Sequence, residues 1–387
     1  MMIRHNNSKK TKIGKDSNSL PPDLVIEILS RLPVKVVSRS QDFIRSFPSH
    51  SIQPHPPRLF YAVNNIEKQN GFYKWFFYSS PSTTLVEEEI IFQSSISRTT
   101  CEIWSQSPSH VHYVNGLISF GYGEKQIITS PSTGKTIYLP KVRSRKQIIR
   151  SYFGFDPVES QYKVLAVCMS DKVGDYSKVP SSEHKVFTLM GREGRVAQTW
   201  RMVTCKTSPH CPKTNGVCIN GVLYYVASTG KKKMSEWFLM RFDVRTEKLD
   251  LLSRLSWRLY DLDRLSLINY QGKVTFVVQT CPSSTIFDLW VMEDTVEWSR
   301  ICVHIPWKSC WKSTIDIIGT IHTGQIVFFY NHSDDMYARC FVLYYDHKTN
   351  RLIHRRLSYG IEVGFQPVSA MLLSCDYVEN VMSFFSF

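Results

Sequence analysis

A strand pattern that repeats about every 50 residues constrains the fold of this chain more than any other feature of its sequence. Gly221, Gly272 and Gly324 lie 51 and 52 residues apart, and each follows a short apolar stretch. After each glycine come an apolar segment, a second segment with an aspartate at or near its end, a polar turn and a third segment. The chain is therefore expected to contain several copies of one unit of about four strands.

The regions between these units extend the same pattern over most of the chain. Short runs rich in aromatic and β-branched residues, as strands require, occur in 58–92, 113–139 and 152–203. A period near 50 residues with about four strands per unit is typical of kelch-like β-propeller blades. The sequence therefore predicts a mainly β protein, a kelch-like β-propeller of about six blades, with seven blades or an irregular β-sandwich as alternatives. A strand near residues 368–375 should close the ring, because an open sheet edge would otherwise be left.

The composition favours a protein that folds inside the cell without metal or disulfide bonds. The chain has 387 residues, 43% of them hydrophobic, which is enough to build a core without covalent cross-links. Its ten cysteines include no C-x-x-C pair, and Cys205, Cys211 and Cys218 lack the spacing of zinc ligands. Because no apolar run suits a membrane span or a signal peptide, we expect a soluble protein of the nucleus, the cytoplasm or both. We expect no metal and no cofactor.

A short apolar segment precedes the repeats. Residues that favour helix ends bound it: Pro21, Pro22, Asp23 and Pro33. The predicted helix carries apolar side chains around most of its circumference: Leu24, Val25, Ile28, Leu29 and Leu32. Only Glu27, Ser30 and Arg31 offer a polar face. Such a helix must be covered, either by the core or by a partner protein.

The string from Leu20 to Lys35 resembles the opening of an F-box, most closely that of plant F-box proteins with an F-box associated interaction domain of the kelch-like type 3. Stretches of the repeats are similar to that associated domain, among them Phe-Gly-Phe-Asp-Pro157, Thr-Trp-Arg201 and Cys-Ile-Asn-Gly-Val-Leu-Tyr-Tyr225. The resemblance implies that the helical segment docks on a Skp-type adaptor, and through it on a cullin, while the repeats bind a substrate protein. The residues it places against the adaptor or at the helix ends are Leu20, Pro21, Leu24, Ile28, Leu29, Leu32 and Pro33.

The F-box-like segment departs from the family pattern after its first helix. A third helix containing a Trp normally follows, but here residues 36–40 lead directly into 41–47, and the first Trp is Trp75. Roughly a dozen residues of the pattern are missing, which implies weakened adaptor binding. The expected organisation is a disordered basic tail, a truncated F-box-like helical segment, a Pro-rich linker and a propeller domain, with the bounds 1–19, 20–47, 48–57 and 58–387.

The repeats show no residue pattern typical of an active site. The stretch from Ser132 to Thr136 ends like a phosphate-binding loop, but Thr129 stands where that loop needs a glycine. Neither G-x-S-x-G nor H-E-x-x-H occurs. Four aspartates recur at the repeat period and are interpreted as turn caps that bond backbone N–H groups: Asp156, Asp243, Asp288 and Asp346. We therefore expect no enzyme, and a kelch-type enzyme is the least supported hypothesis.

Surface loops are the expected binding sites, because a rigid propeller presents its connections on two faces. Arg and Trp are strong interface anchors. The candidates for substrate contacts, drawn from two loops, are Arg143, Arg145, Lys146, Trp307 and Trp311.

Taken as a whole, the sequence favours protein binding over nucleic-acid binding. The net charge of +14 would suit acidic partners, but the basic residues are scattered and accompany no nucleic-acid module. The leading hypothesis is a non-enzymatic substrate-recognition subunit of an SCF-type ubiquitin ligase. The alternative is an adaptor-independent protein-binding propeller, or a decaying F-box paralogue that no longer docks on the ligase.

Overall fold

The computed structural model describes most of the repeat region. The described residues are 58–67, 72–81, 99–105, 111–122, 125–131, 136–169, 182–189, 199–207, 209–229, 236–255, 265–279, 285–294, 297–306, 315–321, 323–332, 339–356 and 367–377. All of them belong to one compact unit, Pro56–Phe387. The predicted tail, helical segment and linker lie outside the described residues, and so do the adaptor-facing positions from Leu20 to Pro33.

Strands make up all the regular structure of the described residues. In chain order they are β1 (Arg58–Glu67), β2 (Phe72–Pro81), β3 (Thr99–Ser105), β4 (Val111–Val114), β5 (Leu117–Tyr122), β6 (Lys125–Thr129), β7 (Thr136–Tyr138), β8 (Gln147–Asp156), β9 (Gln161–Met169), β10 (Ser182–Thr188), β11 (Arg201–Val203), β12 (Cys211–Pro212), β13 (Val217–Ile219), β14 (Val222–Ser228), β15 (Trp237–Asp243), β16 (Leu249–Leu255), β17 (Ser266–Tyr270), β18 (Lys273–Gln279), β19 (Ile286–Met292), β20 (Trp298–His304), β21 (Ile315–Thr320), β22 (Ile326–His332), β23 (Arg339–Asp346), β24 (Arg351–Arg356) and β25 (Pro367–Tyr377). No helix able to cross a membrane occurs in this described part.

The strands pair into six antiparallel sheets. Blade 1 has the order β25-β1-β2-β3, blade 2 runs from β4 to β7, and blade 3 from β8 to β11. Blade 4 combines β12 and β13, both paired with β14, followed by β15 and β16. Blade 5 runs from β17 to β20 and blade 6 from β21 to β24. These six sheets agree with the expectation of about six blades.

The inner strands of the sheets form a closed ring. Going round it, β25, β4, β8, β13, β17 and β21 each contact the next, and β21 contacts β25. The strand β25 pairs antiparallel with β1, for example Tyr61 with Leu372 and Val63 with Ala370. The last described strand thus completes the first blade, as the sequence analysis predicted, and the predicted mainly β propeller fold is confirmed.

The recurrent glycines make the tight hairpins that leave the inner strands. Asn220 and Gly221 join β13 to β14 with φ values of 48° and 81°, and Gln271 and Gly272 join β17 to β18 with 52° and 82°. Two-residue hairpins with positive φ at both positions match the twist of the paired strands. Glycine is favoured there because a side chain would clash in this left-handed region.

The core lies between neighbouring blades, where large apolar side chains interdigitate. Tyr152 of blade 3 stacks on Tyr225 of blade 4 with ring centroids 4.5 Å apart, and both side chains are fully buried. Phe287 of blade 5 and Phe328 of blade 6 also pack together, with ring centroids 5.2 Å apart and the rings tilted by 51°. Burial of one such side chain stabilises the fold by about 1.5–3 kcal/mol. The ring therefore holds its loops on a rigid frame.

Three of the four recurrent aspartates cap turns as predicted. Asp156 accepts a hydrogen bond from the Val158 N–H at 3.0 Å. Asp243 accepts one from the Thr246 N–H at 2.7 Å, and Asp346 accepts one from the Lys348 N–H at 2.9 Å. The prediction for Asp288 is wrong. It lies within β19 rather than at its end, and it accepts two hydrogen bonds from Arg300 on the next strand.

The third strand of blade 1 was not located from the sequence. The sequence analysis placed the strands of this region within 58–92, and residues 82–92 lie outside the described ones. The strand that pairs with β2 is β3, with Trp75 opposite Cys101. Its sequence, Thr-Thr-Cys-Glu-Ile-Trp-Ser, carries only two large apolar side chains, Ile103 and Trp104, so it gave a weaker strand signal.

Candidate functional site

The direction of the inner strands divides the propeller into two rims. The chain reaches each inner strand from the outer strand of the preceding blade, as in the connection from β7 to β8. Because strands alternate in direction within a blade, all these connections between blades lie on one rim, here called the crossover rim. The opposite rim, the hairpin rim, carries the Asn220-Gly221 hairpin and the turn at 244–248.

The predicted basic loop is the segment that joins blade 2 to blade 3. Residues 140–146, here called the basic crossover, run from the end of β7 toward the start of β8 on the crossover rim. Val142 is 3% exposed and packs against Ala166 and Cys168 of β9. This buried side chain anchors the middle of the segment to blade 3.

Hydrogen bonds fix the backbone of the basic crossover at two further points. The Trp200 indole N–H donates to the Pro140 carbonyl at 2.7 Å. The Lys185 ammonium of β10 donates to the Arg143 carbonyl. Both donors belong to blade 3, so the crossover follows the outer strands of that blade rather than projecting as a free loop.

An acidic side chain beneath the crossover is already engaged. Ser144 Oγ donates to Glu183 Oε2 at 2.9 Å and accepts the Lys146 N–H at 3.0 Å. Glu183 also pairs with Lys185 at 3.3 Å. Burial raises the pKa of Glu183, but the hydrogen bonds from Ser144 and Lys185 outweigh it and hold that pKa below its usual value. The carboxylate therefore stays ionised and occupied within the support of the loop.

Lys141, Arg143 and Arg145 of the same segment are exposed. Among the described residues, none of these three side chains has a hydrogen-bond or ion-pair partner. Lys146, the third predicted contact of this loop, is half-buried and adjoins Glu183. The structure thus brings Arg143, Arg145 and Lys146 together on one segment.

An apolar side chain lies beside these cations. Met202 of β11 is 62% exposed and stands directly opposite Lys185 in the strand register. Since Lys185 bonds the Arg143 carbonyl, Met202 lies next to the basic crossover on the same face of the sheet. The sequence analysis did not single out Met202, because strand pairing decides its position.

The other two predicted contacts, Trp307 and Trp311, lie outside the described residues. The residues that flank their loop are described: His304 ends β20 and Ile315 begins β21. Both strand ends lie at the crossover rim, because β20 is an outer strand and β21 is the next inner one.

The hairpin rim carries a charge network that sequence reasoning missed. Lys163 Nζ of blade 3 lies 2.8 Å from Glu247 Oε1 in the 244–248 turn of blade 4, and Arg201 donates to the same oxygen. Asp156 accepts hydrogen bonds from Arg245 as well as from its own turn. The contacts of Lys163, Arg201 and Arg245 each join blade 3 to blade 4, so this network stabilises the packing of the two blades.

Two buried histidines form a second group that the sequence did not reveal. His184 Nε2 lies 3.3 Å from His210 Nε2, which lies 3.0 Å from the Tyr225 hydroxyl. Burial, and then the proximity of His210 and Lys146, lower the pKa of His184 to about 3. With this low pKa, the buried His184 ring is neutral near pH 7. In the part of the chain that the structure covers, no group of three or more His, Cys, Asp or Glu side chains is placed to hold a metal ion.

Residues 58–381 match the family model described as an F-box associated beta propeller domain. The chain belongs to the F-box associated β-propeller family. An Arabidopsis thaliana relative of this F-box associated propeller, At1g31000, is 45% identical over 406 residues, covering 99% of this chain and 100% of the relative. The F-box protein At4g11590 of the same plant is 35% identical over 410 residues, covering 97% of this chain and 96% of its own length.

Solved structures resemble the F-box associated propeller only distantly. A periplasmic gluconolactonase from Pseudomonas aeruginosa is 10% identical with a TM-score of 0.42, covering 78% of this chain and 82% of its own. No function is carried over from that similarity.

Proposed function

We propose that this protein is a substrate-recognition subunit of an SCF-type ubiquitin ligase in the nucleus or cytoplasm. The propeller would hold a target protein, and the segment 20–47 would dock on a Skp-type adaptor that leads to a cullin. The observation that carries the proposal is the family match over residues 58–381. It is joined by the F-box-like string from Leu20 to Lys35 and by relatives named as F-box proteins.

The propeller suits the role of a receptor because its frame is rigid and its rims are built from connections. Packed aromatic side chains and the charge network fix neighbouring blades, while the basic crossover presents cations on the opposite rim. A fixed surface binds a partner at a lower entropic cost than a flexible one. Capture of a target requires only such a surface, and transfer of ubiquitin would be carried out by other subunits of the ligase.

The truncated F-box-like segment sets the expected strength of adaptor binding. In the family, a third helix completes the adaptor surface and packs behind the first helix. Loss of roughly a dozen residues removes apolar surface that the complex would bury. At about 25 cal/mol per Å², this lowers the binding free energy by several kcal/mol. Each ~1.4 kcal/mol changes affinity tenfold, so we expect binding at least ~100-fold weaker than that of an intact F-box.

Titration calorimetry with a purified Skp-type adaptor tests the proposal on the full chain. Insertion of a family-like third-helix segment after Ser38 should strengthen binding, and Ile28→Asp should abolish it. Ser30→Asp is the matched control, because it adds the same charge to the polar face of the predicted helix and should leave binding unchanged.

Two results would contradict adaptor docking: binding that is indifferent to Ile28→Asp, or no binding even after the insertion. Either result would favour the second candidate function, an adaptor-independent protein-binding propeller, which the missing residues of the F-box-like segment already suggest. Full-strength binding by the natural chain would instead contradict the weakening that we expect from the truncation.

A further inference from the structure

We propose that the basic crossover, residues 140–146, is a binding site for a protein segment that carries closely spaced oxyanions next to an apolar side chain. The inference rests on the proposed function, since it names the class of target that the propeller would take. The oxyanions can be carboxylates of Asp and Glu or phosphates on modified hydroxyls, because both present paired acceptor oxygens.

The first argument is that no side chain among the described residues occupies the two arginines. Arg143 and Arg145 are exposed and have no side-chain partner among the described residues. Several other arginines of the described propeller do pair with acids on the same or the neighbouring blade: Arg201 with Glu247, Arg245 with Asp156, Arg254 with Glu236 and Arg300 with Asp288. Arg143 and Arg145, with one residue between them, have no such acid among the described residues, and we infer that they are available for acceptors from another molecule.

The second argument is that the backbone between them is held in place. Val142 is buried, Lys185 bonds the Arg143 carbonyl, and Ser144 bonds Glu183. Binding would have to order only the ends of the two arginine side chains. A preorganised site loses less free energy on binding than a loop that must first be ordered.

The third argument concerns the local charge. Glu183 is the acid beneath the segment, and it is already engaged by Ser144 and Lys185. It therefore does not compete for Arg143 and Arg145. The planar guanidinium group donates two parallel hydrogen bonds to one carboxylate or phosphate, which gives geometric selectivity that a Lys ammonium lacks.

The fourth argument comes from Met202, which explains the apolar requirement. Its side chain is 62% exposed and lies across the strand pair from Lys185, beside the crossover. An exposed Met next to fixed cations offers an adaptable apolar contact. A peptide that places an apolar residue beside its acids can use both features, whereas a nucleic acid relies on a continuous basic track and stacking platforms.

Fluorescence anisotropy with labelled short peptides tests the proposal on the full chain at about 0.15 M salt. One probe carries adjacent Asp and Glu residues beside a Leu, a second carries two phosphoserines in their place, and a third carries Lys residues. A single-stranded oligonucleotide is the fourth probe. The first, the second or both should bind, and the tighter of the two identifies the source of the oxyanions.

The double variant Arg143→Glu with Arg145→Glu should weaken that binding at least ~10-fold, because it removes two charge-assisted contacts and adds repulsion. Arg143→Lys with Arg145→Lys should weaken it by a smaller factor. The matched control is Lys248→Glu with Lys348→Glu, which makes the same charge change in exposed turns of the hairpin rim. This control should leave peptide binding within about 2-fold, since screened charges act only over short distances.

Several outcomes would overturn the proposal. They are peptide binding that survives the Arg143 and Arg145 reversal, equal loss in the hairpin-rim control, no binding of either acidic probe, and tighter arginine-dependent binding of the oligonucleotide. A melting temperature for each variant shows whether the fold is intact. The peptide assay does not involve the adaptor, so its failure is distinguishable from failure of the calorimetry that tests the ligase role.

Discussion

Lys163 and Glu247 form an ion pair 2.8 Å long between blades 3 and 4, and only 5% of the lysine side chain is exposed. Glu247 adopts a φ of 57°, a left-handed conformation in which Asn or Gly is usually found. Its carboxylate nevertheless binds both Lys163 and Arg201. We infer that the pairing of charges between the blades outweighs the local backbone preference at this turn.

Glu247→Ala should therefore destabilise the propeller more than its partly exposed position suggests. The substitution leaves the Lys163 ammonium buried without its acid, and removal of one partner from a buried pair costs about 3–5 kcal/mol. Because Glu247 is 25% exposed and water can reach the pair, we expect the lower part of this range. Urea denaturation of residues 58–387 measures the free energy of unfolding directly.

Glu236→Ala is the matched control for this experiment. Glu236 pairs with Arg254 within blade 4, and the two side chains are 60% and 67% exposed. Exposed pairs contribute about 0–1 kcal/mol, so this variant should be nearly as stable as the natural protein. Equal effects of the two substitutions would show that the pair between the blades has no special role.

The buried pair His184 and His210 should make the fold sensitive to mild acid. The folded pKa of His184 is about 3, below the ordinary value near 6.5, so the unfolded chain binds a proton that the folded chain does not. Stability is thus unaffected above pH ~6.5 and falls as the pH decreases from there toward 3, by up to ~1.4 kcal/mol per pH unit from this group. Thermal melts between pH 7.5 and about 5.5 measure the slope, above most of the range where ordinary carboxylates titrate.

Substitution at each of two histidines separates this effect from general acid sensitivity. His184→Gln removes the titrating group and should flatten the slope, even if it lowers stability at neutral pH. His304→Gln changes an exposed histidine of β20 and should leave the slope as it is. An unchanged slope in His184→Gln would refute the assignment.

The parts of this structure that could be predicted from the sequence are those that local chemistry determines. The Asn220-Gly221 hairpin and the turn caps of Asp156 and Asp346 depend on residues a few positions apart. Asp288 shares the repeat spacing but falls inside a strand, so spacing alone misled the interpretation. A periodic residue caps a turn only if it stands at the strand end.

The contacts between blades could not be predicted in this way. Lys163 and Glu247 are 84 residues apart, and His184 and His210 are 26 apart across a blade boundary. Neither pair has a characteristic spacing, because the meeting of their side chains depends on the packing of one sheet on the next. The basic crossover was found from composition, but its fixed backbone and the neighbouring Met202 required the strand register.

Gly154→Ala should destabilise the protein through crowding between blades. A Cβ atom at Gly154 would lie 2.7 Å from Val244 Cγ2, and overpacking of this kind costs about 1–3 kcal/mol. Val244→Ala in the same chain should recover much of that loss, because it removes the methyl groups that clash. A double-mutant cycle of unfolding free energies gives the coupling, and strictly additive losses would contradict a direct clash.

Removal of the closing strand should abolish cooperative folding, whereas removal of the segment before the propeller should not. A chain that ends at Gln366 lacks β25, so β1 and the neighbouring inner strands β4 and β21 lose their partner. A chain that begins near Pro54 keeps every described strand. Circular dichroism during heating should show a β-type spectrum and one sharp transition only in the second. A sharp transition in the first, or substantial helix in the second, would contradict this expectation.

The pairing of β25 with β1 also has a consequence for how the protein is made. Of the described strands, a ribosome releases β1 first and β25 last, so the first blade stays incomplete until the rest of the propeller has been synthesised. During that time the edge of β1 that will receive β25 is open to pairing with other nascent chains. We therefore expect chaperones that bind exposed strands to engage this edge until β25 has been made.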